Sequence, residues 1–266
     1  MSNKLLFLDS FVFIRMAEDT NLATAVKSYI ISNEYTLIIG VMNLIEVYKW
    51  QKYWAQVCDF VASVPFCVAQ NSEQISETEV SKYPDKIDLP TAFCSSDYSF
   101  SKTELEDAIE VNLRNKISSF EKHYRINYRA VWESILNNRN SFPPDENGQY
   151  SPAQRWLFLQ TNVLKWLYPY HRDFLKQNVS ASKEIKIECF KSVYIQMLAI
   201  FLEYNVQRKD GKPSDLGDFS QLSVLPYVAF AVFDNERYDL IQRINRQNLF
   251  PETLPGCNLA QFRKVI

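Results

Sequence analysis

The chain has 266 residues, 47% of them hydrophobic and 23% charged, with a formal net charge of −2. These values exclude a disordered polar chain and a uniformly basic nucleic-acid coat, so any contact with phosphate has to come from a local patch. Five glycines against 14% aromatic residues favour helices and compact packing over a turn-rich all-β chain. The length suits one large domain, or one domain carrying a big insertion.

The N-terminus reads Met1-Ser2-Asn3-Lys4 and then Leu5-Leu6-Phe7-Leu8 before Asp9. That apolar run is too short for a signal-peptide core and reads as a buried strand. A helical stretch follows over roughly 12–31, broken at Glu18-Asp19-Thr20-Asn21. Tyr35 to Ile39 is a second strand, closed by Gly40. Asn43 with Glu46 three residues on has the pattern of a capping box. The helix so opened places Val47, Trp50, Trp54, Val57, Cys58 and Val61 on one apolar face, and Pro65 ends it. Phe66 to Ala69 reads as a third strand.

Residues 71–101 are polar, hold Pro84 and Pro90, and read as a long excursion with one short helix. Helices are predicted near 102–121, 126–138, 152–168 and 182–205, with a break around Pro143-Pro144-Asp145-Glu146-Asn147-Gly148. The segment 71–205 thus forms a helical insertion or subdomain. After the loop 209–213, Ser214 or Asp215 can cap a helix ending near Leu225-Pro226. Val228 to Phe233 is a strand running into Asp234, and 236–247 is a helix. Strand–helix alternation over 1–70 and 206–266 predicts one α/β domain with a parallel sheet, split by the helical middle.

No apolar stretch approaches the length of a membrane span. The five cysteines, Cys58, Cys67, Cys94, Cys189 and Cys257, are odd in number and show no C-x-x-C spacing. They predict reduced thiols in a cytoplasmic protein rather than a disulfide framework or a zinc site.

The residues that could carry chemistry are carboxylates. Asp9 and Asp234 each follow a buried strand run, where side chains of an open parallel sheet converge on a crevice. Glu46 lies early in the helix after the second strand. Asp215 and Asp218, three apart, share a helix face. Carboxylates brought together repel one another and raise one another's pKa values, and a hard divalent cation removes that penalty. The two histidines, His123 and His171, both fall in the helical middle, which leaves little room for a histidine-based zinc hydrolase or a Ser-His-Asp triad. Each acid also has a plainer reading: Glu46 as a capping-box partner, Asp215 as an N-cap, Asp9 and Asp234-Asn235 as turn residues. Their joint placement is what favours a site. No glycine-rich phosphate loop is present.

Taken together, Leu5-Leu6-Phe7-Leu8-Asp9-Ser10, Ile39-Gly40-Val41-Met42-Asn43-Leu44-Ile45-Glu46, Pro213-Ser214-Asp215-Leu216-Gly217-Asp218, Leu225-Pro226-Tyr227-Val228 and Ala231-Val232-Phe233-Asp234 resemble the PIN-like nuclease family. The resemblance covers the two ends of the chain and not the middle. It implies a three-layer α/β/α sandwich and Mg²⁺- or Mn²⁺-dependent cleavage, usually of RNA, often in bacterial toxins or defence nucleases. It also implies Asp9, Glu46, Asp218 and Asp234 as catalytic metal ligands, with Asp215 as an alternative or extra one. Ala229 departs from the pattern, standing where many relatives carry an aspartate. A protein partner or antitoxin is a further expectation of that kind, and a PIN-like interaction module that no longer cleaves is the alternative.

The nucleic acid itself is expected on the basic segment 111–142, where Lys122, Arg125 and Arg129 share a helix face beside Tyr124, Tyr128 and Trp132. The plainer reading there is an aromatic core stripe flanked by solvated cations. A third account of the whole chain, a helical scaffold whose acids are only caps and turns, fails if the Leu5–Leu8 and Val228–Phe233 runs are adjacent parallel strands.

Overall fold

The computed structural model describes residues 4–95, 134, 141–169, 171–181, 184–209 and 215–266. The predicted helices at 102–121 and, apart from Ser134, 126–138, with Lys122, Arg125, Arg129 and the neighbouring aromatic stripe, lie outside the described residues. So do the Ser214 cap and His123.

The chain divides into two compact units. The first takes in the described residues of Met1–Asn71, Leu89–Ser118 and Val224–Ile266. Its centre is a six-stranded mixed sheet in the order β4-β3-β2-β1-β5-β6, formed by β1 (Lys4–Leu8), β2 (Tyr35–Ile39), β3 (Phe66–Ala69), β4 (Thr91–Cys94), β5 (Phe230–Phe233) and β6 (Cys257–Asn258). The β1 strand is central and pairs in parallel with both β2 and β5, with Leu6 opposite Leu37 on one side and Phe230 on the other. That pairing removes the helical-scaffold account.

Leu6, Phe7 and Leu8 are at most 1% exposed. A strand covered on both faces needs such a continuous apolar run, and each side chain so buried is worth roughly 1.5–3 kcal/mol. The sheet is parallel except for β4, which runs antiparallel to β3. The expectation of a purely parallel sheet is corrected at that edge.

Two helices, α1 (Ser10–Glu18) and α2 (Thr20–Ser32), join β1 to β2. They separate at Asp19, whose side chain accepts from Leu22 N at 3.1 Å and caps α2. Between β2 and β3 the expected single helix is two, α3 (Val41–Lys49) and α4 (Gln51–Ala62), parted at Trp50. Asn43 is not the N-cap. The helix starts three residues earlier at Gly40, whose N–H donates to Asn43 Oδ1 at 3.0 Å. A Cβ on Gly40 would come within 2.8 Å of that same oxygen, so a larger residue there would displace the Asn43 side chain. Trp50, expected on the buried face, is 54% exposed, whereas Trp54 is 6% exposed and packs edge-on against Tyr48.

The opposite bond between β3 and β4 carries a second correction. Cys67 and Cys94 are directly paired across the two strands and form a disulfide. The two are 27 residues apart, and only the antiparallel return of β4 brings them together. Cys58, Cys189 and Cys257 are free thiols. Titration of the unfolded chain with a thiol reagent is expected to find three thiols before reduction and five after. Five in both cases would contradict the pair.

Beyond β5, helix α10 (Asn235–Arg246) leads to β6, and the short α11 (Leu259–Phe262) follows. Gly256, just before β6, has φ +147°, and a Cβ there would stand 2.6 Å from Phe233 Cε2 and 3.1 Å from Ala231 O. Only a glycine lets the chain pass so close to β5.

The second unit takes in the described residues of Ser72–Asp88 and Ser119–Ser223. It is helical: α5 (Ser72–Lys82), α6 (Pro152–Leu167), α7 (Arg172–Ser180), α8 (Lys191–Ile200) and α9 (Asp215–Gln221). The α6 helix opens as its sequence suggests, with a Ser151–Gln154 capping box and Pro152 at its first turn. The predicted 182–205 helix is instead a 3₁₀ turn at Ile187–Cys189, then α8, then a π-helical stretch at Phe201–Val206. Every residue of α8 from Ser192 to Ile200 is buried, as expected for a helix apolar on all sides. Its N-terminus is capped from outside, because the buried Glu79 carboxylate accepts from Ser192 N at 2.8 Å and Ser192 Oγ at 2.6 Å. A carboxylate there also meets the positive end of the helix dipole. No helix among the described residues is long and apolar enough to cross a membrane.

Candidate functional site

The carboxyl edge of the first unit's sheet gathers the residues of interest. From β1 the chain moves outward to β2 and β3 on one side, while β5 and β6 lie on the other. The connections leaving β1 and β5 therefore diverge, which makes the carboxyl ends of these two strands the sheet's topological switch point. In open α/β sheets such a switch point is where ligands bind.

Asp9 and Asp234 stand at this point. Leu8 is in register with Val232, and Asp9 N donates to Val232 O at 3.0 Å, so Asp234 lies one residue past the level of Asp9 on the neighbouring strand. A strand spacing near 4.8 Å and a rise near 3.3 Å per residue put the two Cα atoms roughly 6 Å apart.

The two acids are used differently by the fold. Asp9 is 8% exposed and occupies the N-cap position of α1, yet its side chain makes no capping hydrogen bond. Asp234 does cap, with Oδ1 accepting from Arg237 N at 2.7 Å. The plainer reading of Asp234 is thus present in the structure for one of its two oxygens. Glu46 lies half-buried in the second turn of α3, after the neighbouring β2. With Gly40 as the cap, Glu46 is not a capping-box partner.

Asn43 ties the edge together and was not among the expected site residues. It is fully buried, with Oδ1 holding Gly40 N, while Nδ2 donates to Ser10 Oγ at 3.1 Å and toward Leu8 O at 3.5 Å. One side chain therefore fixes the start of α3 to the end of β1 and the start of α1, on either side of Asp9. The available signal is a polar residue at the third position of an apolar helix, which the sequence pattern alone does not distinguish from a cap.

Asp215 and Asp218 belong to the second unit, on α9. The Tyr204 hydroxyl, from the π-helical stretch, donates to Asp215 Oδ2 at 2.7 Å. Asp218 is half-buried one turn further on. Among the described residues, no three of His, Cys, Asp or Glu are grouped closely enough to hold a metal ion. The donor chemistry of the Asp9–Asp234 edge still suits a hard cation. Mg²⁺ commonly keeps several waters and binds one or two carboxylates together with substrate phosphate oxygens, so it does not demand a protein cage.

No protein-family model matches the chain, and neither a curated protein nor a solved structure matches it.

Proposed function

We propose that the first unit is a PIN-like α/β/α domain hydrolysing phosphodiester bonds at the Asp9–Asp234 edge with Mg²⁺ or Mn²⁺, on RNA rather than DNA. The observation that carries this is the pair of carboxylates ending adjacent parallel strands at the sheet's switch point. Glu46 on α3 is the third carboxylate that the family resemblance implies in this unit, and Asn43 is a positioning residue behind them. The proposal rests on the first unit alone; the roles implied for Asp215 and Asp218 by the family resemblance stay with that resemblance.

When bound, the cation would polarise the scissile phosphate and lower the pKa of a water. The chain's own part is placement. Asp9, held at the junction of β1 and α1, and Asp234, held at the junction of β5 and α10, would hold the cation and through it the phosphate. Glu46, on the helix that follows the neighbouring β2, would supply a further carboxylate to the cation. A cytoplasmic toxin or defence nuclease restrained by a partner protein belongs to the same proposal, although a Cys67–Cys94 disulfide is unusual for that compartment.

A second reading, a PIN-like module that binds without cleaving, is favoured by one observation: Asp234 already gives an oxygen to the Arg237 N–H. Incubation of single-stranded RNA and DNA with the purified chain in Mn²⁺, Mg²⁺ or EDTA separates the two. Cutting of RNA that EDTA stops, and that an Asp9→Asn preparation lacks, is the expected result. Intact RNA under all conditions would leave the binding module.

A further inference from the structure

A stacking surface lies at the junction of α3 and α4 in the first unit. Trp50 is both the end of α3 and the start of α4: its N–H donates to Val47 O at 2.9 Å and its carbonyl accepts from Tyr53 N at 2.8 Å. The backbone is fixed, and the indole is more than half exposed. An aromatic of that size normally gains more by burial than any other residue, and Tyr48 and Trp54 of the same segment do pack together. Trp50 instead lies beside Tyr53, with ring centroids 6.5 Å apart and planes 31° from parallel.

The second ring is itself held in place. The Tyr53 hydroxyl donates to the Glu18 carboxylate on α1, and Lys52 Nζ sits 4.3 Å from the Tyr53 ring centroid. Glu18 is also paired with Arg15 at 2.9 Å, and the Arg15 guanidinium lies 5.0 Å from the Phe11 ring. Beside the Tyr53 ring and its Glu18 partner stand the exposed cations Lys52 and Arg15. Trp50 follows Glu46 by four residues, so the surface begins one helical turn beyond the third acid of the proposed site.

We propose that Trp50 and Tyr53, flanked by Lys52 and Arg15, form a base-stacking subsite for a single nucleic-acid strand entering the Asp9–Asp234 edge. The inference deepens the nuclease reading and rests on it for the choice of ligand. Unpaired bases stack on exposed aromatic faces, while a duplex keeps its bases inside; cations beside the rings hold the phosphates. The charge excess at this surface matches a polyanion and opposes an acidic protein partner.

The test is fluorescence anisotropy with labelled oligo-U RNA and oligo-dT, and with a duplex of equal length, all in EDTA so that nothing is cut. Trp50→Ala is expected to weaken single-strand binding roughly 5- to 150-fold, the range for loss of one stacked base. Trp50→Phe is expected to recover most of it. Lys52→Glu should weaken binding and flatten its salt dependence, as loss of a phosphate contact does. The duplex should bind weakly and indifferently to Trp50.

Equal affinity of wild type, Trp50→Ala and Lys52→Glu would overturn the subsite. So would failure of wild type to bind either strand, or self-association in sedimentation that Trp50→Ala abolishes. RNA cleavage with Trp50-independent binding would remove the subsite and leave the nuclease reading standing. Trp50-dependent binding without cleavage would do the reverse.

Discussion

Asp234→Asn and Asp9→Asn are each expected to reduce divalent-cation-dependent RNA cleavage roughly 100- to 1000-fold while leaving the fold intact. The charge a carboxylate brings to a catalytic cation is worth several kcal/mol in the transition state, and each ~1.4 kcal/mol is tenfold in rate. The stability half of the expectation follows from the caps. Asparagine replaces aspartate at an N-cap with almost no change, so the bond from Arg237 N survives in Asp234→Asn. Asp234→Ala loses that bond as well and is expected to cost about 0.5–2 kcal/mol in addition to the activity. Steady-state cleavage rates beside thermal melts of the three variants check this. An Asp234→Asn protein that cuts as wild type would restrict Asp234 to its capping role.

The largest stability effect is expected at Asn43. Its amide satisfies Gly40 N on one helix and Ser10 Oγ on another from a fully buried position. Asn43→Leu keeps the volume but strips these groups of their partner, and a buried polar group left unsatisfied costs ~1–3 kcal/mol. Two such groups give roughly 2–6 kcal/mol, or about 4–24 °C in the melting temperature of a domain of this size. The measurement is a thermal melt of the whole chain. A shift under about 2 °C would mean that Asn43 does not tie β1 to α3 as described.

The sequence was most legible where one physical rule decided the outcome. β1, β2, β3 and β5 declared themselves as apolar runs because they are covered on both faces. The helices expected near 152–168 and 236–247 are α6 and α10, although the Ser151–Gln154 box and the Asp234 cap that open them were not part of that expectation. Elements whose form depends on partners far along the chain were hidden. β4 is four residues long and exists only by pairing with β3, so neither it nor the Cys67–Cys94 bond had a local signature. The short helix expected within 71–101 is α5, but its inward face is partly polar, and the reach of Glu79 to the start of α8 had no local signature. The break at Trp50 left the helical spacing of apolar residues unchanged, so it too passed unseen.

At the site, position was more legible than role. That Asp9 and Asp234 would end neighbouring strands followed from the apolar runs before them. Which acid caps a helix did not, because Asp9 and Asp234 both precede helices and only Asp234 uses its side chain to cap. Asn43 was visible as a polar residue near a helix start, but its reach to Ser10 depends on the packing of α1 beside α3.

The most direct measurement is a titration of the purified chain with Mn²⁺ followed by electron paramagnetic resonance, comparing wild type with Asp9→Asn. The account predicts a bound Mn²⁺ population in wild type, strengthened by a non-cleavable oligonucleotide and lost in Asp9→Asn. Equal Mn²⁺ binding by the two proteins, or none by either with the oligonucleotide present, would contradict a metal-dependent site at the Asp9–Asp234 edge.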